Sequence, residues 1–93
     1  MSVARINRFH AREGEGAALR ELIESFVPDI ASADGCRACH LLQHEQDPSQ
    51  IVVVEFWESR EDHQAAARTI PPGTLQRAMA LLAKPPEGEY YQA

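Results

Sequence analysis

The chain has no apolar run approaching the roughly 20 residues that a membrane-spanning helix needs, so it does not read as a helical membrane protein. Basic residues are few, 9 against 14 acidic, for a formal charge of −5. They are also scattered rather than striped. Neither a nucleic-acid backbone nor an anionic membrane is therefore the expected partner. The start of the chain lacks the apolar region of a signal peptide, because Arg5 and Asn7 stand where one would lie. The expected compartment is the cytoplasm, where the two cysteines would be reduced. Length is scarce too. Residues 1–93 are expected to form one domain, with no room for a second. A core that small is marginal, which predicts a further face buried against a partner chain.

What the chain does have is concentrated in residues 51–63. Ile51-Val52-Val53-Val54 is an unbroken β-branched run, the mark of a buried, central strand. It closes on Trp57 and turns straight into a helix. Ser59 with Asp62 three residues on supplies a capping-box-like start, a hydroxyl for the orphan N–H groups and a carboxylate at the positive end of the dipole. A strand that ends in an aromatic residue and feeds a capped helix carrying His63 is a good place for a pocket.

The remaining elements follow from period and punctuation. Residues 3–11 alternate loosely and predict a first strand, with Val3, Arg5, Asn7, Phe9 and Ala11 on one face. Neither face is purely apolar, so periodicity leaves the core side open. From Ala17 the period becomes helical, with Leu19, Leu22, Ile23, Phe26, Val27 and Ile30 in one stripe. Pro28 is expected to kink or loosen the last turns. Residues 36–45 predict a second strand. The turn Gln46-Asp47-Pro48-Ser49-Gln50 makes a hairpin with the strand at Ile51. The capped helix is expected to reach about Arg68, before the breaker at residues 69–73. Leu75, Ala78, Met79 and Leu82 predict a short further helix, and residues 89–92 a last edge strand. The order βαββαβ, with an extra short helix before the last strand, is ferredoxin-like α+β: one antiparallel four-stranded sheet with helices on one face. Its other face is bare in a monomer, and pairing two sheets would cover it.

Three stretches then carry a resemblance: Asn7-Arg8-Phe9, the turn Ala33-Asp34-Gly35-Cys36, and Val54-Glu55-Phe56-Trp57-Glu58-Ser59-Arg60-Glu61-Asp62-His63. The chain resembles, over nearly its whole length, the antibiotic biosynthesis monooxygenase domain family of the dimeric α/β-barrel superfamily. The resemblance implies a small cytoplasmic homodimer with a pocket between sheet and helices. It also implies a planar aromatic or quinol-like ligand, in some relatives oxidised by O2 with no cofactor. Haem degraders and an isomerase of a phosphorylated signal share the family.

Six residues stand out as a candidate site. Asn7 sits in a strand, where asparagine is disfavoured. The resemblance puts it where relatives hold a substrate oxygen; the alternative is a surface asparagine bonded to backbone. His63 is a candidate general base, or else an exposed helix residue. Relatives carry a helix histidine nine residues after the strand-end aromatic; here that position is Ala66, one turn beyond His63. Trp57 would stack on a ring and donate its N–H, or serve as core. His40, Phe9 and Tyr90 complete the expected substrate-binding set. His40 and His44 share a face that lines either the pocket or the barrel side, and Tyr90 and Tyr91 point to opposite faces.

No metal is expected, because no histidine pair has the i, i+4 helix spacing of known zinc motifs. Cys36-Arg37-Ala38-Cys39-His40 matches a haem-attachment pattern. It lacks the helical setting and the oxidising compartment, and is taken as an accident of spacing. The positions of the haem degraders' tryptophan and iron-ligating histidine hold Ala66 and Gln76, which disfavours that chemistry. The leading expectation is a cofactor-independent monooxygenase acting on a small aromatic or quinol. A non-catalytic dimeric binding module is the main alternative, and a small-metabolite isomerase a weaker one.

Overall fold

A computed structural model describes residues 2–93. The chain runs β1 (Val3–His10), α1 (Gly16–Ala31), β2 (Cys36–Gln43), β3 (Gln50–Trp57), α2 (Arg60–Ala67), α3 (Pro72–Ala80) and β4 (Glu87–Gln92). The strands form one sheet in the order β2-β3-β1-β4, and every neighbouring pair is antiparallel. This is the ferredoxin-like arrangement with one helix added before the last strand. β1 and β3 are the interior strands, so Asn7 lies well inside the sheet.

The two faces separate by parity. Ile51, Val53, Glu55 and Trp57 alternate with half-exposed neighbours and are all buried. Ile51 and Val53 pack with Leu19 and Ile23 of α1, and with Ala11 and Leu82, in the apolar core. The register Arg5↔Glu55, Asn7↔Val53 and Phe9↔Ile51 puts the odd residues of β1 on this covered side. Phe9 packs against the apolar core there. The opposite face carries Ile6, Val52, Val54 and Phe56, none of them fully buried, and Leu42 and Tyr91 are 53% and 43% exposed.

Several boundaries differ from the sequence-based expectation for local reasons. α1 runs through Pro28 to Ala31. Pro28 is exposed; its ring forfeits one backbone bond to Glu24 without ending a helix already anchored by Leu19 and Ile23. β2 stops at Gln43, because His44 Nδ1 accepts from the backbone N–H groups of Gln46 and Asp47 at 3.0 and 2.9 Å and folds the chain into the turn. β4 begins two residues before the expected Glu89. α3 starts at Pro72, a position where the missing N–H costs nothing.

Two glycines shape the end of the sheet that matters below. Gly35 adopts φ +85°, and a Cβ there would collide with the Asp62 side chain. The tight turn before β2 therefore seats directly under the start of α2, and Gly35 O accepts from Glu58 N–H at 2.8 Å. Gly88 lies opposite Asn7 on β4, where a Cβ would run into the Arg5 guanidinium and the Asn7 amide.

Candidate active site

One end of the covered face is polar. Glu55 is only 4% exposed, although it sits in a strand otherwise filled with apolar residues. Its Oε1 accepts the Trp57 indole N–H at 2.8 Å. Its Oε2 takes a longer bond from the Asn7 amide at 3.5 Å. β-Strand alternation makes the first contact possible, because residues 55 and 57 share a face. Burial pushes the Glu55 carboxyl up from its ordinary range; the Trp57 N–H, the Arg5 charge and the Asn7 amide pull it back in part.

α2 brings the second component. Ser59 Oγ accepts the Asp62 N–H at 3.2 Å and caps the helix as expected. One turn in, His63 points down onto the sheet. Its Nε2 lies 3.9 Å from Glu55 Oε1, and its Nδ1 lies 2.6 Å from the Tyr90 hydroxyl. The ring meets Trp57 and Tyr90 edge-on, with centroids 5.6 and 5.3 Å away. Burial, helped by the Arg5 charge, lowers the His63 pKa below its ordinary value, so the imidazole is neutral at pH 7. A neutral ring carries one N–H. Placing it on Nε2 aims it at the carboxylate and leaves Nδ1 to accept the Tyr90 O–H. The result is a chain of polar groups, Glu55 to His63 to Tyr90, leading from the buried carboxylate toward the edge strand.

Arginines complete the cluster. The guanidinium carbons of Arg5 and Arg60 each lie 4.6 Å from the centre of the Tyr90 ring. Arg5 Nε is buried and has no hydrogen-bond partner.

Four of the six expected residues, Asn7, Trp57, His63 and Tyr90, therefore come together. Phe9 shares their face but packs toward the apolar core at the other end. His40 lies on the opposite, open side of the sheet, exposed, paired with Val54. Trp57 is 1% exposed and its N–H is committed to Glu55, so it walls the cluster rather than offering a free donor. Glu55 was missed as a member of the candidate site. The available signal for Glu55 was its parity with Ile51, Val53 and Trp57.

Among the described residues no three of His, Cys, Asp and Glu converge closely enough to hold an ion. Cys39 is half-buried, and desolvation with the nearby Glu55 raises its thiol pKa to about 12, which makes it an inert side chain. Among the described residues, no helix is long and apolar enough to cross a membrane.

Known structures share this architecture. Rv0793 from Mycobacterium tuberculosis superposes with a TM-score of 0.86 at 24% identity, covering 100% of this chain and 95% of the other. SnoaB from Streptomyces nogalater, described as a cofactor-independent oxygenase, gives 0.81 at 21% identity, covering 99% and 92%. A conserved protein from Methanosarcina mazei gives 0.88 at 14% identity, covering 99% and 92%. These likenesses establish the fold. No curated protein matches the sequence. The model of the antibiotic biosynthesis monooxygenase family matches residues 2–81, and with the fold and strand order above it follows that the chain belongs to that family.

Proposed function

We propose that the protein is a cofactor-independent monooxygenase for a small aromatic, quinol-like substrate, acting in the cytoplasm as a homodimer paired through its open sheet face. The observation that carries this reading is the Glu55–His63–Tyr90 chain beside Asn7, walled by Trp57. The dimer rests on the apolar residues of the uncovered face, Val54, Phe56 and Leu42 among them. The catalytic roles fall to Asn7 and His63, with Tyr90 against the substrate and Trp57 as the wall behind them.

The chemistry needs little from the protein. A phenolic substrate loses its O–H proton to the His63 and Tyr90 pair, and Glu55 stabilises the imidazolium that forms. The phenolate passes one electron to O2, giving an aryloxyl radical and superoxide. These combine in a new C–O bond at a ring carbon bearing hydrogen. Loss of water from the hydroperoxide leaves a carbonyl there, so one phenol and one O2 give one quinone and one water. The Asn7 amide orients a substrate oxygen or the peroxide. Burial around Trp57 keeps water from the radical pair.

The test is oxygen uptake by purified, metal-stripped protein with a panel of dihydroxy-aromatics. Uptake should exceed autoxidation and fall by about 10²-fold or more in Asn7→Ala and His63→Ala. Folded variants that turn over as fast as the parent protein would sink the reading. One observation favours a non-catalytic binding module instead: the Trp57 N–H and His63 Nδ1 both end on protein groups. Binding of the same compounds with no uptake would select it.

A further inference from the structure

The oxygenase reading leaves two positive charges unused. Four cationic side chains hold a carboxylate: Arg8 with Glu89, Arg20 with Glu24, Arg37 with Glu58 and Lys84 with Glu87, all at 3.3 Å or less. Arg5 and Arg60 have no such partner among the described residues. Both guanidinium carbons instead lie 4.6 Å from the centre of one ring, that of Tyr90, so they are no farther apart than twice that distance. Like charges repel at such range, and neither guanidinium is in an ion pair among the described residues; the Arg5 charge acts on Glu55 without a salt bridge between them. Glu55, the carboxylate nearest in register to Arg5, is turned to Trp57 and Asn7.

Two further features mark the arrangement as built. Arg5 Nε is buried without a hydrogen-bond partner, a group that ordinarily finds one. Gly88 lacks the Cβ that would collide with the Arg5 guanidinium, so β4 makes room for the cation beside its own Tyr90. Two guanidiniums carry donors in a planar fork suited to a carboxylate. They flank the tyrosine whose hydroxyl faces His63.

We infer that Arg5 and Arg60 together bind an anionic group of the substrate, so that the ligand class is a hydroxylated aromatic carboxylate rather than a neutral quinol. The carboxylate lies at the Tyr90 edge, within reach of both guanidiniums, and sets the phenolic oxygen toward the Tyr90–His63 pair. The aromatic part of this assignment rests on the proposed function. The anion rests on the two unpaired cations.

Paired probes separate these ideas. Binding of 1,4-dihydroxy-2-naphthoate and of 1,4-dihydroxynaphthalene is measured without oxygen, by quenching of Trp57, the single tryptophan, which lies one ring from Tyr90 across His63. The carboxylated probe should bind roughly tenfold tighter or more, the scale of a charge-assisted pair. Arg60→Gln, at an exposed helix start, should bring the carboxylated probe's affinity down to that of the neutral one. Arg5→Gln should weaken binding of the carboxylated probe more than that of the neutral one. Equal affinities in the parent protein, no binding of the carboxylated probe, or a preference that survives in Arg60→Gln would each overturn the inference. Oxygen uptake is scored separately. Preference without uptake refutes only the oxygenase reading, and uptake without preference refutes only the anion site.

Discussion

Ile51 and Val53 occupy one end of the covered face of β3, and Glu55 and Trp57 occupy the other. All four are buried. The first pair meets Leu19, Ile23 and Leu82, side chains that ask only for contact. The second pair meets Asn7, His63 and, through it, Tyr90, groups that ask for hydrogen bonds in particular directions. Burial alone therefore does not separate scaffold from site. A carboxylate at 4% exposure, with its pKa raised by desolvation, costs stability that an apolar residue would not. The apolar end holds the sheet to α1, and the polar end draws on that hold.

The largest effect should come from breaking the apolar end. Ile51 is fully buried, and Ile51→Ala is expected to lower unfolding free energy by about 2–5 kcal/mol, the range for truncating a core aliphatic side chain. Glu55→Gln keeps the shape and an acceptor for the Trp57 N–H but removes the charge. It should leave stability at pH 7 equal or higher while reducing oxygen uptake. Urea unfolding of both variants checks this. If Glu55→Gln costs as much as Ile51→Ala, the carboxylate is structural and the contrast between the two ends collapses.

Much of the fold was legible because its signals are local. The run from Ile51, the Asp47-Pro48-Ser49 turn and the Ser59 cap each specify geometry within a few residues. The candidate site was legible where a residue looked out of place, as Asn7 does in a strand. Glu55 was not, because within a continuous apolar run one carboxylate passes for an edge of the pattern; only its parity with Ile51 and Trp57 reveals the covered side. His40 was ambiguous for a further reason. β2 carries an irregularity between Cys36 and Ala38, so Cys36 and Cys39, three apart, oppose Trp57 and Glu55 on one face. Alternation counted from Cys36 therefore misplaces everything after it. Which side chains of β1, β3, α2 and β4 converge depends on register, which no single segment contains.

The polar end can be sharpened by pH. The folded Glu55 carboxyl titrates above its ordinary value of 4.5, so between those points the unfolded chain holds fewer protons and stability falls as pH rises. His63 acts with the opposite sign. Its folded pKa lies below 6.5, so stability is lost as pH drops through 6.5 toward the folded value. Glu55→Gln should remove the first slope and His63→Gln the second, and Ile51→Ala should shift the whole curve without changing its shape. Unfolding free energies from pH 4 to 8 would show it. A His63→Gln curve parallel to that of the parent protein would mean the imidazole is not buried as described.

The smallest effect concerns how His63 is held. α2 has no fully buried residue, so packing does little to fix it. Its first turn is set by Ser59 Oγ on the Asp62 N–H and by the seat that Gly35 provides for Asp62. Ser59→Ala removes the cap and should cost about 1 kcal/mol of stability. Fraying of that turn moves Arg60 and His63 together, because both lie within the first four residues of the helix. Oxygen uptake should therefore fall by more than the stability loss implies, and Ser59→Asp, which restores a capping acceptor, should recover it. If Ser59→Ala loses stability but keeps full uptake, then the hydrogen bond to Tyr90 and the Trp57 edge hold His63 without help from the helix. The polar end would in that case be organised by its own contacts, as the apolar end is.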